Sequence, residues 1–324
     1  MNRLAHAAVV ALTSAGAMLT GPVLAQDYPV KPVRIVVPFP PGGNTDIMAR
    51  LIGGQLSEFW GQRFIIENRP GGDSIIGAVA VAHAPPDGYA LLLAGDAVVT
   101  MNQYLHKNLP YDPFKDFAPI TMVGRSTTVV SVDAKTGPKT MRELVERARA
   151  NPGRLTFGTA TLTAQLAGET LKRLAGIDMV HVPYKGAAPA VQALLANEVS
   201  FLIDGLPAAL PHVRAGRLRM LATTGSLVPS MPELRTISEA AGLPPFDASS
   251  WQGFFAPSGT PAAVVDKLRA GIERVLIIPE MRAKFLDNGV TINVSASADE
   301  FSALIRRDAE RRARAIKEAG IGAQ

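Results

Sequence analysis

Short apolar runs alternate with segments of helical period along most of the chain. Residues 33–37, β-branched except at Arg34 and set between Pro32 and Pro38, have the pattern of a buried strand. Over 47–59, Ile47, Leu51, Ile52 and Leu56 fall near one helical face. A second strand is predicted over 63–67, a helix over 74–83 and a third strand over 90–94. The pattern then repeats, with strands over 129–132, 155–158, 180–183, 201–204 and 218–223. Helices are predicted over 140–150, 162–174, 187–195 and 207–215. Thr140 with Glu143 three residues on is a capping-box signature, and Gly216 suits a left-handed C-cap. Residues 224–245 are rich in Ser, Pro and Gly and read as a long connection. A strand at 251–256 and two helices follow. The first has Thr260 as expected N-cap, Pro261 at its first position and a stripe from Val264 to Leu276. The second carries Phe301, Leu304, Ile305, Ala309, Ala313 and Ile316, with Arg306, Arg307, Glu310, Arg311 and Arg314 as its solvated face.

This alternation predicts an α/β fold with mainly parallel sheets flanked by crossover helices, in two modules with a late return segment. Composition agrees, since 47% hydrophobic and 19% charged residues suffice for sizeable cores. The chain has no cysteine, which excludes disulfides, thiol catalysis and cysteine metal sites. Asn2-Arg3, an apolar stretch over 7–20 and Val23-Leu24-Ala25 form a secretory signal pattern, with cleavage expected after Ala25. No later stretch reaches the roughly 18 apolar residues of a membrane span. The net charge of +5 favours anionic ligands. The basic residues are dispersed apart from 306–314 and aromatics are 6%, so no nucleic-acid partner is expected.

The loop 38–46 is the most informative stretch. Gly42 and Gly43 let backbone approach a ligand, and three prolines concentrate the N–H donors at Gly42 to Asp46. Asn44 or Thr45 could cap the following helix. Uncapped N–H groups and the helix dipole make an anion site; a capped turn without a ligand fits the loop equally well. Asp46 reads as a first-turn acid or as a group orienting a ligand. On the second reading Asp46→Ala would weaken binding with little change in melting temperature. The turn Gly158-Thr159-Ala160-Thr161 leads into a second helix, with Thr163 and Gln165 in reach, and Asp204 ends a strand. No phosphate-binding glycine motif, nucleophile elbow or zinc-spaced histidine pair occurs, so no catalytic residue, metal or cofactor is expected. His181 lies in an apolar run and reads as structural.

Several longer stretches carry a resemblance. They include Tyr28-Pro29-Val30-Lys31-Pro32 through Pro40-Pro41-Gly42-Gly43, Glu67-Asn68-Arg69-Pro70-Gly71 and Pro86-Asp87-Gly88-Tyr89. Further on come Ala167-Gly168-Glu169, Val182-Pro183-Tyr184-Lys185-Gly186, Ala215-Gly216-Arg217-Leu218-Arg219 and Ala256-Pro257-Ser258-Gly259-Thr260-Pro261. Together they resemble the periplasmic solute receptors of tripartite tricarboxylate transporters, the Bug family. The resemblance implies a two-lobed clamshell, with 26–125 and 250–324 as one lobe and 126–249 as the other. It implies a monomer that binds a small carboxylate and delivers it to a permease of one large and one small subunit. First-lobe contacts would come from Phe39, Pro40, Gly42, Gly43, Asn44, Thr45 and Asp46. Second-lobe contacts would come from Thr159, Ala160, Thr161, Thr163 and Gln165, with Asp204 added from its strand-end position. Three departures stand out. Leu162 and Gln165 occupy places that usually carry smaller residues and a His. Gly72-Asp73-Ser74 replaces Ala-Gly-Gly. An Arg in Glu310-Arg311-Arg312 replaces a Trp, a change expected to touch only the helix surface. A ligand sensor signalling to a membrane kinase and an α/β hydrolytic enzyme are the other readings.

Overall fold

The run at 33–37 forms the first strand, β1 (Val33–Val37), with four of its five side chains buried. This is a computed structural model describing residues 28–225, 228 and 231–323, so the expected signal segment and its cleavage point lie outside the described residues. The elements of the first part are α1 (Asn44–Trp60), β2 (Phe64–Asn68), α2 (Ile75–Ala82), β3 (Ala90–Gly95), α3 (Asp96–Thr100), α4 (Asn102–Leu105) and β4 (Phe117–Ser126). Then come β5 (Thr128–Asp133), α5 (Met141–Ala150), β6 (Thr156–Thr159), α6 (Leu162–Ala175), β7 (Val180–Pro183), α7 (Ala187–Leu195), β8 (Phe201–Gly205), α8 (Leu206–Arg214), β9 (Leu218–Thr223) and α9 (Ile237–Ala241). The chain finishes with β10 (Ser250–Pro257), α10 (Ala262–Leu276), α11 (Pro279–Asp287), β11 (Val290–Ile292) and α12 (Ala298–Glu318).

Two sheets result, ordered β11-β4-β10-β3-β1-β2 and β7-β6-β8-β5-β9, each the centre of a lobe. In the first, β1, β2 and β3 pair in parallel, while β10 and β11 run against their neighbours. In the second, β6, β7 and β8 are parallel and β5 runs opposite, between β8 and β9. Both sheets are covered on both faces. In the first lobe α1 and α10 pack on one side and α2 and α12 on the other. In the second, α5 and α6 face α7 and α8 across the sheet. Two straps join the lobes, one at Thr127 and one at 248–250. Thr127 is tied to both lobes, because its N–H donates to Gly289 O (2.8 Å) and its carbonyl accepts from Leu206 N (3.0 Å).

Several expectations need correction. The ten-residue strand β4 escaped periodicity because Pro119, Gly124 and Arg125 interrupt its apolar run, yet it lies between β10 and β11 in the sheet. Thr140 caps α5, but the Glu143 carboxylate accepts from Lys139 N (2.7 Å), not from Thr140 N. A complete capping box occurs instead at Thr236 and Glu239, inside the expected connection. Thr260 does not cap α10. Its hydroxyl donates to Pro257 O (2.7 Å), and Pro261 is the N-cap. The largest correction concerns Arg312, which is among the most buried side chains of the protein, not on the surface of α12.

Close packing predicts opposite outcomes for two glycines. A Cβ on Gly168 would lie 2.2 Å from the Phe157 ring, so Gly168→Ala should cost about 1–3 kcal/mol in thermal or denaturant unfolding. Gly54 is exposed within α1, and a methyl group added there would meet nothing within 4 Å. Gly54→Ala should therefore stabilise by about 0.5–1 kcal/mol.

Candidate functional site

The loop after β1 makes its turn at Gly42, whose φ of 88° favours glycine. The following helix, α1, has Gly43 as N-cap and no side-chain cap, so neither Asn44 nor Thr45 plays the expected capping part. Asp46 instead organises the loop. Its Oδ2 accepts from Gly42 N (2.9 Å) and Arg50 Nε (3.0 Å), and its Oδ1 accepts from Asn68 Nδ2 (2.9 Å). Asn68 also donates to Phe39 O (3.1 Å), which fixes the far end of the loop. Burial works to raise the Asp46 pKa, but the hydrogen bonds from Arg50, Gly42 and Asn68 hold it below the usual carboxylate value. The N–H groups of Asn44, Thr45 and Asp46, one per residue of the first helical turn, find no acceptor within the described chain.

This helix start abuts the second lobe. A Cβ on Gly205 would lie 2.8 Å from Asn44 Oδ1, and one on Gly186 would lie 3.1 Å from Pro40 Cγ. Gly186 and Gly205 are the N-caps of α7 and α8, and neither helix has a side-chain cap. Three uncapped helix starts therefore meet between the lobes, and the first turn of α7 adds the free N–H groups of Ala187 and Ala188. Gly186, at φ 118°, takes a backbone conformation that an L side chain would strain.

The predicted second turn is used differently from its sequence reading. Thr159 Oγ1 bonds His181 Nε2 (2.8 Å), and that histidine packs on Phe157, which supports its structural role. Burial lowers the His181 pKa. Thr161 caps α6 by accepting from Ala164 N (3.2 Å). Thr163 donates to Asp96 of the first lobe (3.2 Å). All three hydroxyls are thus engaged within the protein, and the turn offers a ligand mainly backbone N–H. Leu162 packs into an apolar cluster between the lobes with Met101, Leu105, Leu166 and Ile316. Ala160 and Gln165 are partly exposed. Gly186 and the start of α7 were not among the sequence candidates. The Lys185-Gly186 step before an apolar helix was the available signal.

Asp204 sits at the end of β8. One carboxylate oxygen accepts from Gly205 N (2.7 Å), while the other is buried without a partner. Burial pushes its carboxyl up to about 6. The folded pKa thus lies above the ordinary 3.8, so folded protein retains a proton between those values that the unfolded chain releases. The associated stability is full below the unfolded value and is lost as pH rises through about 6. Asp204→Asn should therefore be more stable than the parent at pH 7.5, by up to about 3 kcal/mol. The gap should shrink toward pH 4, as read by thermal unfolding. A gap constant over that range would contradict the assignment.

Comparison with known proteins gives this geometry a context. The family profile described as "Tripartite tricarboxylate transporter family receptor" matches residues 48–321. Protein BugT of Bordetella pertussis (strain Tohama I) is 34% identical over 330 residues, covering 99% of both chains. The solved structure of R. palustris Rpa4515 with adipate is 34% identical, with a TM-score of 0.88, covering 92% of this chain and 100% of that one. MatC from Rhodopseudomonas palustris with bound malate is 30% identical, with a TM-score of 0.81, covering 89% of this chain and 100% of its own. The fold is that of the two-lobed periplasmic binding proteins, and the chain belongs to the tripartite tricarboxylate transporter receptor family, whose members are binding receptors and not enzymes.

Proposed function

We propose that this protein captures a small carboxylate between its lobes and hands it to a membrane permease of one large and one small subunit. The observation that carries the reading is the meeting of three helix starts, α1, α7 and α8, each with a glycine N-cap and no side-chain cap. All three starts bring the positive end of a helix dipole, and those of α1 and α7 also bring free N–H groups, the elements of an anion site; at α8 the Leu206 N–H is already given to Thr127 O and Pro207 has none. A dipole contributes about 0.3–1 kcal/mol when exposed and up to about 2 when partly buried. Micromolar affinity needs about −8 kcal/mol, so hydrogen bonds from both lobes must add to it. That requirement makes closure part of binding, because the ligand stabilises the closed form only by its extra contacts there. Adipate and malate in the two related structures support a dicarboxylate as the first choice of ligand.

The proposed contacts are the backbone of Gly43 to Asp46 with Phe39 and Pro40 in the first lobe, and residues 160–162 with Ala187 and Ala188 in the second; Thr163 is left out because its hydroxyl is taken by Asp96. Asp204 lies beside them. Sheet membership supports dividing the lobes at Thr127 and at 249/250, one residue beyond the expected 125/126, because Ser126 still pairs with Ser250 and Val290 in the first sheet. The signal pattern at 1–25 supports export to the periplasm. No helix among the described residues is long and apolar enough to cross a membrane.

Titration calorimetry of the purified protein against dicarboxylates, tricarboxylates, amino acids and aromatic acids should find at least one ligand tighter than about 1 mM, near −4 kcal/mol. A panel without any such ligand would refute the reading. Asp46→Ala should both weaken the tightest ligand and lower the melting temperature. It removes the acceptor that holds Gly42, Arg50 and Asn68, an effect of about 1–3 kcal/mol on stability. This replaces the expectation of an unchanged melting temperature.

A further inference from the structure

The lobes also meet at a buried carboxylate. Asp96, the first residue of α3, is about 1% exposed. Its Oδ1 accepts from Thr163 Oγ1 of the second lobe (3.2 Å) and from Ser250 Oγ (2.8 Å), where the returning strap enters β10. Its Oδ2 is paired with Arg312 of α12. Arg312 also donates to Ser249 O (2.9 Å) and pairs with Asp308, which accepts from Trp251 Nε1 (2.9 Å). Burial raises the Asp96 pKa against the pull of Arg312, Ser250 and Thr163. Of the groups donating to Asp96, Arg312 and Ser250 belong to the first lobe and its strap. Thr163 alone among them rides on the second lobe. It sits on the first turn of α6 beside the cluster of Met101, Leu105, Leu166 and Ile316, which also spans the two lobes.

We propose that Thr163 and Asp96 form a closure latch, in which Arg312 holds the Asp96 carboxylate in place and the Thr163 hydroxyl engages it when the lobes close. The latch sets the population of the closed form, and through it the affinity, without touching the ligand. This rests on the clamshell reading of the fold but not on the identity of the ligand. Separation of α6 from α3 breaks the Thr163 bond and leaves the Arg312 and Ser250 bonds intact, so the bond contributes only to the closed state. A hydrogen bond to a charged acceptor changes such an equilibrium by about tenfold or more. Because the apparent affinity scales with the closed fraction, a ligand's dissociation constant rises by the factor by which that fraction falls.

The chain has no native cysteine, so a donor–acceptor dye pair can be placed on cysteines introduced at Arg63 and Arg214, one exposed position on each lobe. Single-molecule transfer efficiency on the ligand-free mature chain then reads the closed fraction. Thr163→Val, which keeps the shape and removes the donor, should lower the closed-to-open ratio about tenfold, whereas Thr163→Ser should restore it. With adipate as probe, any measurable dissociation constant should rise in Thr163→Val by the factor by which the measured closed fraction falls. If adipate fails to bind, the carboxylate reading is weakened while the ligand-free ratio still decides the latch. An unchanged ratio in Thr163→Val would make the contact a pivot present in both forms and overturn the proposal. So would a parent protein with no measurable closed fraction, or a failure of Thr163→Ser to restore the ratio.

Discussion

The structure depends most on one buried ion cluster, Arg312 with Asp96 and Asp308. Removing such charges from water costs several kcal/mol per ion, which geometry must return. Here Arg312 touches both carboxylates and the Ser249 carbonyl, while Asp308 also takes the Trp251 indole and the Arg311 guanidinium. Burial alone would lower the Arg312 pKa, but Asp96 and Asp308 raise it, and the guanidinium stays charged. The cluster is built from α3, α12 and the strap at 249–251. Those are the parts that must keep fixed positions if the two sheets are to close on each other reproducibly. Its value lies more in specifying where the strap and the start of α3 sit than in net stability.

A helix start is normally stabilised by about 1 kcal/mol when a side chain caps it. α5, α6, α9 and α12 have such caps, on Thr140, Thr161, Thr236 and Ser297. α1, α7 and α8 have glycine instead. At α1 and α7 a cap would occupy the donors that the proposed anion site uses. Small N-caps also let Asn44 and Pro40 approach Gly205 and Gly186 without obstruction. These three starts go without side-chain caps, as do α2, α3, α4, α10 and α11, and the stability of the lobes comes from the cores behind. Phe157, Phe201, Trp251, Phe254, Phe255 and Phe301 lie fully buried there.

Much of this could be read in the sequence, for identifiable reasons. Buried parallel strands such as β1, β3 and β8 are continuous apolar runs flanked by helices of clear period, so their positions were predicted to within a residue or two. β4 was missed because its strand character comes from pairing with β10 and β11, which local pattern does not encode. The loop at Gly42 was evident because paired glycines after a proline run break both helical and strand periodicity. The use of Asp46, Thr159 and Thr163 was not, since each is decided by a partner 4 to 67 residues away in sequence. Arg312 was misplaced for the same reason. Within a run of six charged residues over seven positions, nothing local distinguishes the one arginine that points inward to Asp96, 216 residues away.

These two features place different demands on closure. At the helix starts, the unpaired N–H groups of α1 and α7 and the positive ends of the dipoles leave the closed form of the proposed receptor with donors that an anion would satisfy. At Asp96, the pairing of Thr163 and the apolar contact of Leu166 with Met101 favour closure with or without ligand. The balance between them decides how far the free protein stays open. Were the positive ends neutralised by side-chain caps, the latch contacts would close an empty receptor and the ligand would have no differential work to do. Were the latch absent, all the free energy of closure would fall on a few hydrogen bonds to a small anion. On the proposed reading, different groups do the two jobs: the N–H groups at the starts of α1 and α7 meet the ligand, while Thr163, Asp96 and Arg312 govern how readily the lobes come together.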